Sequence, residues 1–224
     1  MGQYFKAVLK RADSPELTLV SPRTFECFSK LTESAWVSNP FVCAVLQQCS
    51  EAPHRVAWVG DYADSDISSR EEVNLGNGFV TDGESFKAIF KTAWPDGPNS
   101  PRPLPYCDLD KSVDTFDLEY IYDETTKKSR ITRDYWIVNG TKKLVIHMKD
   151  YVAENVDPDG WCVDPLPILT AIGNGWGGGD YGGINTNVVG SWAFDEIFVS
   201  EEDPRNYLLY RDLETFLPHF TEMV

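Results

Sequence analysis

The sequence predicts an α+β fold, a mostly antiparallel sheet with helices packed on it. Three observations predict it. Residues 115–150 alternate apolar and polar positions around turn signals, the pattern of antiparallel strands. Proline follows a capping residue twice, at Ser21-Pro22 and Asn39-Pro40, the signature of a helix start. A G-x-G-x-x-G pattern runs from Gly173 to Gly178, but no β-α unit surrounds it, so a wound nucleotide-binding sheet is not indicated.

In chain order, residues 3–10 predict an opening strand, with Tyr4, Lys6, Val8 and Lys10 on alternating sites. Leu17–Val20 returns as a short strand. Ser21-Pro22 then opens a helix with Phe25, Phe28 and Leu31 as its stripe. A second helix starts at Asn39-Pro40, buries Phe41, Ala44, Val45 and Leu46, and ends near Cys49. The run HRVAWVGDY, residues 54–62, is short, apolar and rich in β-formers, and predicts a buried central strand. It leads into an acidic loop carrying Asp61, Asp64 and Asp66. Residues 84–91 predict a short helix with Phe86, Ile89 and Phe90 inward. Five prolines between 95 and 105 mark a surface excursion and a seam within one domain spanning 1–224. A three-stranded meander follows near 115–150. It comprises a strand through Phe116, Leu118, Tyr120 and Tyr122, a second over 131–138, the hairpin signal Asn139-Gly140, and a third over 144–148. Residues 188–200 predict a strand with Ser191, Ala193, Asp195, Ile197 and Val199 on one side. Residues 204–217 predict a C-terminal helix capped by Asp203.

The least ordinary stretch is 173–183, which holds seven of the chain's sixteen glycines, broken only by Asn174, Trp176, Asp180 and Tyr181. Glycine loses much entropy on folding and packs no side chain. Such density points to backbone at positive φ, close to a ligand or a neighbouring segment. It is not a phosphate loop of the usual kind: no Lys or Arg lies in 166–195, and no G-x-x-x-x-G-K-[ST] pattern occurs.

Asp and Glu total 35 against 20 Lys and Arg, a net charge of −15. A surface this acidic repels phosphate backbones, so direct nucleic-acid binding is disfavoured. The five cysteines show no Cys-x-x-Cys spacing, and neither a signal peptide nor a run of roughly 18 apolar residues is present, which predicts reduced thiols in a cytoplasmic protein without a membrane span. The three histidines are far apart and lack zinc spacing.

Two chemistries fit the remaining residues. A ligand-binding site draws on Gly177, Gly178, Gly179, Asp180 and Tyr181 with Trp176 and Tyr62. A carboxylate pair, Asp61 and Asp180, each preceded by Gly and followed by Tyr, suits acid–base work. A divalent cation at Asp61, Asp64 and Asp66 is a further expectation, and so is one at Asp157, Asp159 and Asp164; neither loop has EF-hand spacing, and no other cofactor is indicated.

MGQYFKAV at the start, WVGDYAD, VNGTKK and GNGWGGGDYGG followed by VGSWAFD resemble a family of small bacterial and phage proteins. Its members open MGQYY and carry GNGxGGGDY before VGSWA. The resemblance covers most of the chain, and the Gly-rich segment is its most specific part. It departs at Trp176, where a basic residue is more usual, so it carries no anion role to that position. The family has no assigned activity; the resemblance implies a free-standing intracellular accessory or counter-defence protein of phage type. The expected function is therefore non-enzymatic binding of a small molecule or partner protein through 173–183 and adjacent aromatics. The alternatives are a carboxylate hydrolase using Asp61 and Asp180, with or without a divalent cation, and an acidic decoy of nucleic acid.

Overall fold

A computed structural model describes residues 3–63, 83–95, 102, 104–157, 159–173 and 188–210. Among them the chain is α+β: a mixed, mostly antiparallel nine-stranded sheet with five α-helices packed on it. Its centre is β1 (Phe5–Arg11) against β3 (His54–Gly60), antiparallel over their full length from Phe5↔Gly60 to Arg11↔His54. Outward from β1 come β2 (Leu17–Val20) and β4 (Tyr106–Asp108). Strands from both sides of residues 95–105 thus share one sheet.

The run His54–Gly60 is apolar on consecutive residues because both faces of β3 are covered. Val56 and Trp58 pack with Phe5, Ala7 and Leu9 beneath α2 (Pro40–Glu51). Ala57 and Val59 pack with Val8, Leu17 and Leu19 beneath α3 (Gly83–Ala93), which contributes Ile89 and Ala93. The start of α2 follows from its sequence: the Asn39 side chain accepts a hydrogen bond from Phe41 N at 2.9 Å, and Pro40 occupies the first turn, where its missing N–H costs nothing.

The helix expected from Ser21 through Leu31 is not continuous. Pro22–Phe25 form a 3-10 turn, Glu26 takes φ 59° and ends it, and α1 (Leu31–Ser34) is separate. Phe28, expected on the buried stripe, is exposed. The meander resolves into two hairpins. β5 (Tyr120–Asp123) and β6 (Lys128–Ile131) form their own two-stranded sheet, and the Ser129 hydroxyl donates to Val152 O of α4 (Met148–Glu154) at 2.6 Å. β7 (Trp136–Asn139) and β8 (Leu144–His147) join the main sheet. The break falls where the wholly buried Tyr135 turns into the core against Phe116.

Only β10 (Glu196–Ser200) of the strand expected over 188–200 forms. Gly190 sits at φ 69°, and a Cβ there would lie 2.5 Å from Ala171 O, so the chain turns before entering the sheet. The helix expected from residue 204 is also absent over the described residues. Turns lead into β11 (Leu208–Leu209), parallel to β8. No helix of the described residues is long and apolar enough to cross a membrane.

Candidate functional site

One edge of β3 is shared by two strands. Its first half pairs antiparallel with β10 through Arg55↔Glu196 and His54↔Ile197. Its second half pairs in parallel with β9 (Ala171–Ile172), through Trp58↔Ala171 and Val59↔Ile172. α5 (Pro165–Leu169) delivers β9, its first turn capped by Asp164, which accepts from Leu166 N at 3.0 Å. Because β3 and β9 run side by side in the same direction, they end together. Asp61 and Tyr62 leave one; Gly173 and the glycine-rich stretch leave the other.

Gln3 seals that edge. A Cβ on Gly173 would meet Gln3 Oε1 at 2.5 Å, and one on Gly60 would collide with the same amide. Both glycines are required by the close approach, which brings Gly60 and Gly173, the residues from which Asp61 and the glycine-rich stretch follow, to one place. Asp61 is fixed there by a backbone pair: its Oδ1 accepts from Tyr4 N at 3.0 Å, and its own N donates to Tyr4 O at 2.9 Å. Burial pushes the Asp61 carboxyl above its ordinary range, against the hydrogen bonds it accepts. Tyr62 is partly exposed beside it. Asp64, Asp66, Trp176, Gly177, Gly178, Gly179, Asp180 and Tyr181 lie outside the described residues.

At the same end of the sheet, but across β3 from β9, Tyr4, Lys6, Ser21, Arg23, Ser29 and Trp94 line a cleft of about 200 Å³. Trp94 is pinned by its indole N–H, which donates to Val59 O at 3.0 Å. Lys6 Nζ lies 4.2 Å above the Trp94 ring centre and donates to Ala93 O at 2.8 Å. Burial lowers the Lys6 ammonium, with Arg102 and Arg23 adding repulsion and Asp108 partly offsetting it. These cations come from segments far apart in sequence, so no spacing rule could have grouped them.

A second constellation surrounds His147. Its Nδ1 lies 2.7 Å from Asp150 Oδ2 and its Nε2 lies 2.7 Å from Asp134 Oδ1, while the ring stacks on Trp136 at 4.1 Å. Burial opposes charge on the ring, but the hydrogen bonds and charges of Asp150 and Asp134 outweigh it and the pKa is raised. Both nitrogens are occupied, so the ring serves as a tie and not as a proton-transfer base. The spacing of His147 and Asp150 was a readable signal for half of this arrangement.

The other expected ligand groups have structural roles. Asp157 Oδ1 accepts from Asp159 N and Trp161 N, which closes a turn, and Asp164 is wholly buried as a helix cap. Among the described residues no group of three His, Cys, Asp or Glu is placed to hold a metal ion. No disulfide joins the cysteines, and burial pushes the Cys43 and Cys49 thiols up to about 12, which leaves them poor nucleophiles. Asp108, Asp110, Asp114 and Asp117 stand exposed along one segment.

Comparison with known proteins finds no matching family model, no matching curated protein and no matching solved structure. The functional reading therefore rests on the geometry of these residues.

Proposed function

We propose that this is a non-enzymatic binding protein that holds a small ligand where β3 and β9 end. One observation carries the reading: the parallel pairing Val59↔Ile172, with Gly60 and Gly173 both packed on Gln3, starts the Asp61–Tyr62 segment and the glycine-rich stretch from the same edge. Crevices at the carboxyl ends of neighbouring parallel strands are where ligands dock on mixed sheets, because loops diverge there. The adjoining cleft supplies aromatic walls and polar groups beside Asp61. Asp61 favours binding over hydrolysis, since one of its oxygens is already committed to Tyr4 N.

Purified protein, denatured and examined by mass spectrometry, is expected to release a stoichiometric small molecule or, if isolated empty, to gain thermal stability from one member of a metabolite library. Asp61→Asn should lower the affinity while leaving the unfolding midpoint nearly unchanged. A variant that loses stability and affinity in step would assign Asp61 to the fold alone, and the strand-end site would be abandoned.

A further inference from the structure

The cleft beside Tyr4 has a chemistry of its own. In a chain of net charge −15, its lining includes two cations, Lys6 and Arg23, and no carboxylate. Its donors are largely unused. Among the described residues the Arg23 guanidinium makes no hydrogen bond or ion pair, and the hydroxyls of Tyr4, Ser21 and Ser29 have no partner. Lys6 spends one of its three N–H donors on Ala93 O, leaving two. Arg102 stands behind, its guanidinium 3.9 Å above the Tyr106 ring and 3.6 Å from Asp108, close enough to repel Lys6. Asp108 offsets only part of this repulsion on Lys6, and a bound anion would offset more of it.

We infer that this cleft binds the phosphate group of a small organic phosphate. Two positive charges match a phosphate monoester dianion. A guanidinium fork, an ammonium and three hydroxyls offer more donors than the two oxygens of a carboxylate can accept, whereas a phosphate presents three strong acceptor oxygens. The volume of about 200 Å³ admits the phosphate and a short organic remainder, below the usual size of a drug-like pocket. The inference rests on the binding-protein reading and adds to it the chemistry of the ligand.

The test is calorimetric titration of the full chain with inorganic phosphate at constant ionic strength, with acetate as the competing anion class. Saturable one-to-one binding of phosphate, tighter than acetate, is expected. Arg23→Gln should weaken it about tenfold or more, the loss of one charge-assisted contact. Ser21→Ala should weaken it less, and Arg205→Gln, which removes an exposed cation elsewhere, should leave it unchanged. Both arginines are exposed, so neither variant endangers the fold. Absence of saturable phosphate binding, acetate binding as tightly, or equal losses in Arg23→Gln and Arg205→Gln would overturn the inference. A co-purified ligand that lacks phosphate would overturn it too, while leaving the binding-protein reading intact.

Discussion

Asp164 shows how one buried residue can couple a fold to pH. Its side chain is wholly inaccessible, one oxygen caps α5, and the other, Oδ2, has no partner. The Tyr135 hydroxyl is a second buried atom without a partner, and burial, with Asp164 and two thiols nearby, pushes its pKa well up. Burial raises the Asp164 carboxyl to about 7, only partly opposed by the Leu166 N–H. The native state therefore binds this proton more tightly than the unfolded chain does. Its contribution to stability is complete below the unfolded carboxylate value of 3.8 and is lost as pH rises through about 7. A one-unit displacement is worth about 1.4 kcal/mol, so the loss across this window is on the order of 4 kcal/mol. Asp164→Asn keeps an oxygen for the cap and carries no charge. It should match the parent protein near pH 4 and exceed it in unfolding free energy at pH 8, by denaturant titration at both values. A variant weaker than the parent at pH 8 would show that the carboxylate is stabilised by contacts other than those described.

At the scale of elements, the segments that were legible are those whose signals are local. Leu17–Val20 forms as a strand with the expected ends, α2 starts at its Asn-Pro cap, and the unbroken apolar run of β3 gives a strand buried on both faces. The segments that differed are set by contacts distant in sequence. The stripe of Phe25, Phe28 and Leu31 fits a helix, but the left-handed Glu26 interrupts it. The alternation in 188–200 fits a strand, but Gly190 must clear Ala171 O. The site divides the same way: Asp61 and Gly173 were marked by composition, whereas Lys6, Arg23 and Trp94 meet only through the sheet and α3. His147 belongs to this non-local class, tying the end of β8 to the turn before β7 and to the first turn of α4. A neutral imidazole has one N–H and cannot donate to carboxylates on both sides, so the double tie needs the protonated ring. The raised pKa means that this tie is complete below the ordinary value of 6.5 and is released as pH climbs above it. Titration of the His147 ring by NMR should give a midpoint above 6.5, falling in Asp134→Asn and again in Asp150→Asn. A midpoint at or below 6.5 in the parent protein would remove the tie from the account of the hairpin.

Over the whole molecule these two groups act in the same direction, and net charge adds to them. Asp164 and His147 both hold protons more tightly when folded, so both favour the native state on the acid side of neutrality. Opposing them are carboxylates held below their ordinary range: Asp13 by a hydrogen bond from Arg11, Glu26 by Lys111, Asp123 by its turn, and Asp134, where His147 and Lys149 outweigh its burial. Their contributions are lost only as pH falls through the carboxylate range, and the first three are fully exposed and screened by solvent. With a formal charge of −15 at pH 7, self-repulsion also grows as pH rises from the isoelectric point near 4.5. Buried His54 opposes Asp164 and His147 as well: burial lowers its pKa, so its contribution is lost as pH falls below the ordinary 6.5, and the stability maximum lies on the acid side of neutrality to the extent that Asp164, His147 and net charge outweigh it. The contributions separate by salt. Long-range repulsion between surface carboxylates is screened beyond about 10 Å at 0.1 M ionic strength, whereas the buried proton on Asp164 is not. At pH 8, raising sodium chloride from low concentration to about 0.5 M should therefore raise the melting temperature by several degrees. In Asp164→Asn the same salt increment should produce the same rise from a higher starting point. If salt lowers the melting temperature of the parent protein instead, the individual ion pairs outweigh the net repulsion, and the acidic maximum must be assigned to Asp164 and His147 alone.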